Sequence, residues 1–174
     1  MTEDTPPGTD RWARGTLAWE QEAARAESLG IRTVWVRTGI VLSPDEGMAT
    51  QLRTQFQRGF GAIALPGTQW LPWIHIDDEI MLFTAAIDDI RIRGPLNASA
   101  PNPVTYREFA QAMGKTLHRP VLLRLPGVVL RWALGDVADS VLHNRRMIPS
   151  KALNLGLTFQ HETILPTLND LLNY

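Results

Sequence analysis

IRTVWVRTGIVLSP, residues 31–44, is the stretch on which the reading of the fold turns. Val34, Trp35, Val36, Ile40, Val41 and Leu42 make a nearly continuous β-prone run with no alternation of polar and apolar side chains. A sheet with one wet face demands alternation. A run without it predicts a strand covered on both faces, as in a parallel α/β sheet. Upstream, helical signal runs from about Asp10 to Ser28, where Leu17, Ala18, Ala23 and Ala24 intersperse with Glu20, Glu22 and Glu27, and Gly30 is placed to close it. The first ten residues hold Pro6, Pro7 and Gly8 and read as an irregular lead-in.

Downstream, Met48, Leu52 and Phe56 recur every fourth residue and predict one face of a short helix. Residues 59–67 read as a glycine-rich loop, and 70–76 as a short strand with Asp77 or Asp78 capping a helix to about Ile90. Pro95–Asn97 is a further short strand. The next helix, from about Thr105 to Leu117, carries Phe109, Met113 and Leu117 on one face, and Thr105 with Glu108 has the spacing of a capping box. Val121–Leu125 is strand-like, and Pro126 suits the first turn of a helix to about Leu134. Short helices follow near 137–143 and 150–154, and a last one near 162–172. Strands alternating with helices, then mostly helix, place the chain in the α/β class.

Composition narrows the function classes. Charged residues make up 20 % of the 174 and the formal net charge is −1, so no global field draws in nucleic acid or an anionic membrane. Cysteine is absent, which excludes a disulfide framework, a thiolate metal site and a cysteine nucleophile. No run of about 18 uncharged apolar residues exists to span a bilayer, and the acidic, polar N-terminus lacks the pattern of a signal peptide. A cytoplasmic protein is the expectation, with neither a membrane nor a nucleic acid as partner.

Three motifs in order carry a resemblance: RTGIVLSP at 37–44, QWLPWIHIDDE at 69–79, and NASAPNPVTYREFAQAMGKTLHRP at 97–120. Together they resemble the C-terminal half of an atypical extended short-chain dehydrogenase/reductase, of the NAD-dependent epimerase-like family. NRRMIPSKALNLGLTF, 144–159, resembles that family's terminal domain of unknown function, the DUF1731 type. The resemblance implies a partial Rossmann-like sheet plus a small mixed α/β substrate-side lobe. It divides the chain into the end of a Rossmann-like domain at 1–44, a substrate-side lobe interleaved with the last Rossmann elements at 45–122, and a mostly helical C-terminal domain at 123–174. It also implies NADP or NAD as cofactor of full-length relatives, held by a glycine loop that belongs to a preceding βαβ half. GFGAIA at 59–64 imitates such a loop, but a helical pattern precedes it and Pro66 follows it, so no cofactor is expected for this chain alone.

The usual catalytic pair of that superfamily is a tyrosine with a lysine four residues on, the lysine lowering the phenol pKa. Only Tyr106 and Tyr174 are present; Ala110 stands four residues after Tyr106, and Tyr174 ends the chain. By resemblance the pair falls near Trp12 and Thr16, neither of which can do that work. The resemblance also implies that Val41 meets the nicotinamide carboxamide and that Gly39 allows close approach of cofactor or chain, once an N-terminal half is supplied. His75 and Asp77 are weak catalytic candidates. The alternative is a hydrogen-bonded His75 in the sheet beside an aspartate that caps a helix. No second histidine or carboxylate lies at supporting sequence spacing, so no metal is expected. Trp70 and Trp73 read as core residues or as pocket lining. Arg145 and Arg146 read as a surface patch, paired with Asp136 or Asp139, or as contacts for a sugar-nucleotide-like ligand.

Half a sheet leaves unpaired backbone groups and bare apolar helix faces, and each buried group without a partner costs about 1–3 kcal/mol. The expected partner is therefore a missing N-terminal half or a second copy of the chain. Two function classes follow: the substrate-side portion of an NAD(P)-dependent epimerase or oxidoreductase, incompetent alone, or a non-enzymatic binding and assembly module.

Overall fold

In the computed structural model, residues 1–9, 11–59, 61–129 and 144–172 are described. Helix α1 (Arg11–Ala24) passes into a 3-10 turn (Arg25–Leu29) that ends at Gly30, whose φ of 78° is the left-handed conformation expected of a helix-closing glycine. The strand run at 34–42 forms two strands, not one: β1 (Val34–Thr38) and β2 (Ile40–Leu42). β1 pairs in parallel with β6 (Gly94–Ala98), whereas β2 pairs in parallel with β5 (Trp73–His75). Gly39 is the changeover. Its N–H donates to the Ala98 carbonyl at 2.9 Å, and the next N–H, of Ile40, donates to Pro72 at 2.6 Å. A β-carbon at Gly39 would sit 2.7 Å from the Pro72 oxygen, so only glycine lets the chain step from one partner to the other here.

The two-sided cover expected of the 34–42 run is also missing on β1. Val34 to Arg37 are half-buried and Thr38 is exposed. Among the described residues no strand pairs the second edge of β1. Residues 70–76 likewise break in two at Pro72, which has no N–H to continue a ladder. β4 (Trp70–Leu71) runs antiparallel to β7 (Val104–Thr105), and β5 turns to β2. The predicted loop at 59–67 contains a strand, β3 (Ala62–Ala64), parallel to β8 (Leu123–Leu125). A three-residue strand between glycines gives too short a periodic signal to be read locally.

Helices α2 (Met48–Gln57), α3 (Ile76–Asp88) and α4 (Tyr106–Thr116) match the predicted ones to within a few residues. α4 starts with the full capping box: the Thr105 hydroxyl accepts the Glu108 N–H, and the Glu108 carboxylate accepts the Thr105 N–H at 2.7 Å. The cap of α3 is different from the expectation. Its N-cap is His75, whose Nδ1 accepts the Asp77 N–H. Asp78 instead accepts, with its buried carboxylate, the N–H groups of Gln160 at 2.8 Å and His161 at 3.0 Å. Two short C-terminal helices, α5 (Ser150–Asn154) and α6 (Ile164–Leu172), complete the order; the helix read at 137–143 and the acids Asp136 and Asp139 lie outside the described residues.

Two apolar clusters hold these pieces together. Phe56, Trp73, Phe109, Met113 and Leu168 form one, where α2, α4 and α6 meet. Ile74, Leu82, Ile92, Leu96 and Phe159 form the other, between α3 and the β1–β6 pair. Trp73 is thus core. The helix faces left uncovered are as informative. On α3 and just beyond it, Ile80, Phe83, Ile87 and Ile90 are exposed at 56 %, 47 %, 72 % and 73 %, and their spacing puts them in one stripe.

Candidate functional site

The N-terminal lead-in is tied down rather than loose. Glu3 is buried and its carboxylate accepts the N–H of Asn97 at 3.1 Å and of Lys151 at 3.2 Å. The terminal ammonium donates to the Arg146 carbonyl. Anchored there, the lead-in becomes one wall of a cavity of about 620 Å³; α1 and β1 supply the others through Thr16, Glu20, Trp35 and Arg37.

Arg37 crosses that cavity wall. It makes two 2.7 Å bonds to the Glu20 carboxylate and donates to the Glu3 carbonyl at 3.2 Å. The hydrogen bond to Glu20 raises its pKa, against the lowering effect of burial, so the guanidinium stays charged and pre-aligned. Thr38 lines the cavity too, and its hydroxyl donates to Glu79 Oε1 at 2.7 Å. Glu79 is 6 % exposed; burial pushes its pKa up, partly offset by that bond, and its Oε2 has no partner. The Trp35 indole N–H, of a residue that lines the cavity, is likewise buried without a hydrogen-bond partner. Arg145 also reaches the cavity lining, whereas Arg146 lies over the Trp70 ring, 4.9 Å from its centroid.

The sequence candidates fall in two places. Thr16, at the position corresponding by resemblance to the superfamily's catalytic lysine, faces the cavity; the side chain of Trp12 lies outside the described set. Gly39 and Val41 do not line the cavity. The close approach at Gly39 is made by the Pro72 and Ala98 carbonyls, and Val41 pairs with Ile74 and packs into the second core cluster. Tyr106, 3 % exposed, is embedded in the core, and burial raises its pKa to about 12. It can neither reach the cavity nor exchange a proton near neutral pH.

His75 and Asp77 sit at the start of α3, outside the cavity, beneath the C-terminal segment. His75 is 4 % exposed and its ring stacks on His161 with centroids 3.6 Å apart at 21°. Burial first, then the neighbouring His161, lowers its pKa. Asp170 of α6 completes a group whose ligand-type atoms lie within 4.8 Å of one another. Sequence spacing hid this group because His75 lies far along the chain from His161 and Asp170. Two features speak against an ion there. Nδ1 of His75 is engaged by the Asp77 N–H, and near-parallel rings aim their in-plane lone pairs side by side instead of at one point. The sites that sequence reading missed, Glu3, the Thr38–Glu79 pair and the Asp78 clasp, all depend on contacts between remote segments. No local pattern signals them.

Comparison with known proteins agrees with this geometry. Residues 125–171 match DUF1731, a domain of unknown function. An epimerase family protein of Mycobacterium bovis, Mb2239, is 39 % identical over 165 residues, covering 94 % of this chain and 55 % of its own. A chloroplastic epimerase family protein of Arabidopsis thaliana, an SDR39U1 homolog, is 34 % identical, covering 95 % of this chain and 48 % of its own. The crystal structure of human epimerase family protein SDR39U1 with NADPH superposes with a TM-score of 0.90 at 30 % identity, over 99 % of this chain and 59 % of that one. The chain thus spans about half the length of the curated relatives it matches. Sequence and fold together make the chain similar to epimerase family proteins over about half of their length.

Proposed function

We propose that this chain is the substrate-side portion of an NAD(P)-dependent epimerase- or oxidoreductase-like protein, and that by itself it performs no redox chemistry. The observation that carries this reading is the position of Tyr106, buried with its pKa raised to about 12, while Thr16 on the cavity wall stands where, by resemblance, the superfamily has its catalytic lysine. Glu20, Arg37 and Arg145 are the ionisable side chains on the described wall, and Glu20 and Arg37 are engaged with each other. Such a wall orients a ligand; it has no group poised to move a proton.

A dinucleotide does not fit the described residues alone. Ala62–Ala64, the second half of the motif that imitates a phosphate loop, is drawn into the β3–β8 strand pair, so the amides of these residues are not collected at a helix N-terminus. A nucleotide-binding βαβ portion is the partner that the reading calls for, laid along the free edge of β1. The ligand class it favours for the cavity is a small sugar nucleotide, whose phosphates Arg145 would meet. A cytoplasmic location accompanies this reading. Among the described residues no helix is long and apolar enough to cross a membrane.

Calorimetric titration with NADPH and NADH tests it. No heat of binding to the chain alone, and binding after addition of a relative's nucleotide-binding portion, is the expected result; micromolar binding to the chain alone refutes it. The exposed stripe Ile80–Phe83–Ile87–Ile90 favours one second reading, an assembly module that associates through apolar faces. Light scattering over a dilution series separates the two, because a monomer at all concentrations removes the module.

A further inference from the structure

The geometry points to an acid-sensitive latch between the start of α3 and the C-terminal segment, built from the stacked His75–His161 pair and the Asp78 clasp. Three observations combine. His75 Nδ1 accepts the Asp77 N–H at 3.1 Å, so that nitrogen carries no proton and the ring is neutral with its proton on Nε2. The two imidazoles lie face to face at 3.6 Å, a separation at which two cations repel. Directly beneath, Asp78 holds the backbone N–H groups of Gln160 and His161, fastening the same segment to the same helix end.

Protonation of His75 therefore does two things at once. It converts the cap of α3 from an acceptor into a donor facing the Asp77 N–H, and it places a charge against His161 in a site 4 % exposed. The titratable groups that face the ring are His161, Asp77, Asp78 and Asp170. The three carboxylates oppose the effect, and Asp77 Oδ2, 3.6 Å from Nδ1, is the acceptor to which a new Nδ1–H would swing. Burial and His161 outweigh them, so the ring resists charging in the closed form. The sign follows. The folded pKa lies below the ordinary 6.5, the opened segment binds more protons, and closure is complete above about pH 6.5 and weakens as pH falls below it. The consequence is a C-terminal segment, including the end of the DUF1731 match, that loosens in acid without global unfolding.

Amide hydrogen exchange on the full chain at pH 7.5 and 5.5, corrected for intrinsic rates, reads the latch at Gln160 and His161. One histidine charging from an ordinary pKa of about 6.5 limits the loss of protection to about tenfold at pH 5.5. The expected result is a several-fold loss at these two amides while α4 amides stay protected. His161→Phe, which keeps a stacking ring but cannot take a proton, retains the burial penalty on His75 and loses only the repulsion, so its acid loss is smaller. His75→Asn, which keeps a capping acceptor that does not titrate, makes protection independent of pH. Wild-type protection unchanged between the two pH values overturns the latch; so does an equal acid loss in His75→Asn.

Discussion

Replacing Asp78 tests how the C-terminal segment is held. The side chain is 1 % exposed and accepts two backbone N–H groups, from Gln160 at 2.8 Å and His161 at 3.0 Å, on a segment more than 80 residues away in sequence. Asp78→Ala leaves both donors without a partner and opens a small void. Each stranded buried donor costs about 1–3 kcal/mol, and hydrogen bonds to a charged acceptor stand at the upper end. Partial access of water at residues 160–161, which are exposed and half-buried, trims the sum, so a loss of about 2–4 kcal/mol is expected. Against a whole-domain stability of about 5–15 kcal/mol this is a large fraction. With a urea m-value of about 2 kcal/mol/M, the midpoint of unfolding moves down by about 1–2 M. Asp78→Asn keeps one carbonyl acceptor and turns an amide toward the other donor, so it falls between wild type and alanine. Circular dichroism through a urea series is the assay. A midpoint shift in Asp78→Ala below about 0.5 M would refute the view that this carboxylate fastens the segment.

Three further outcomes are expected. Gly39→Ala forces a β-carbon to 2.7 Å from the Pro72 oxygen and 3.3 Å from that of Ala98, both backbone atoms, and lowers stability by about 1–3 kcal/mol in the same assay; an unchanged midpoint would show that the strand changeover is slack. For Glu79, burial raises the folded pKa above the ordinary 4.5, so the folded state binds the extra proton and its stability relative to Glu79→Gln declines as pH climbs through that interval. Unfolding of both proteins from pH 4 to 7 checks this, and a constant gap contradicts it. Ile87→Lys, at a position 72 % exposed, leaves thermal stability within about 0.5 kcal/mol of wild type but weakens any association through the α3 stripe. Sedimentation at matched concentrations measures it, and undiminished association moves the contact elsewhere.

The amino-acid sequence by itself determined the class and the local machinery. The capping box of Thr105 and Glu108, the helix-closing Gly30 and the apolar spacing of α2 and α4 are all set within a few residues, where propensity and hydrogen-bond geometry act without help from the rest of the fold. The order of motifs likewise carried the resemblance to epimerase family proteins, and the missing tyrosine–lysine pair was legible because it is a matter of which residues exist. Tertiary structure decided where the chain changes partner and what meets what. One β-prone run became two strands because Gly39 faces the Pro72 carbonyl, an event of sheet assembly that leaves no mark on periodicity. Asp78 reaches across to 160–161 and Glu3 takes the Lys151 N–H of α5, each having found its partner in a segment distant in sequence, which left the cap of α3 to His75 and the nearby Asp77 N–H. Buried polar groups must be satisfied, but the sequence does not say by whom; only the packed chain brings the donor to the acceptor.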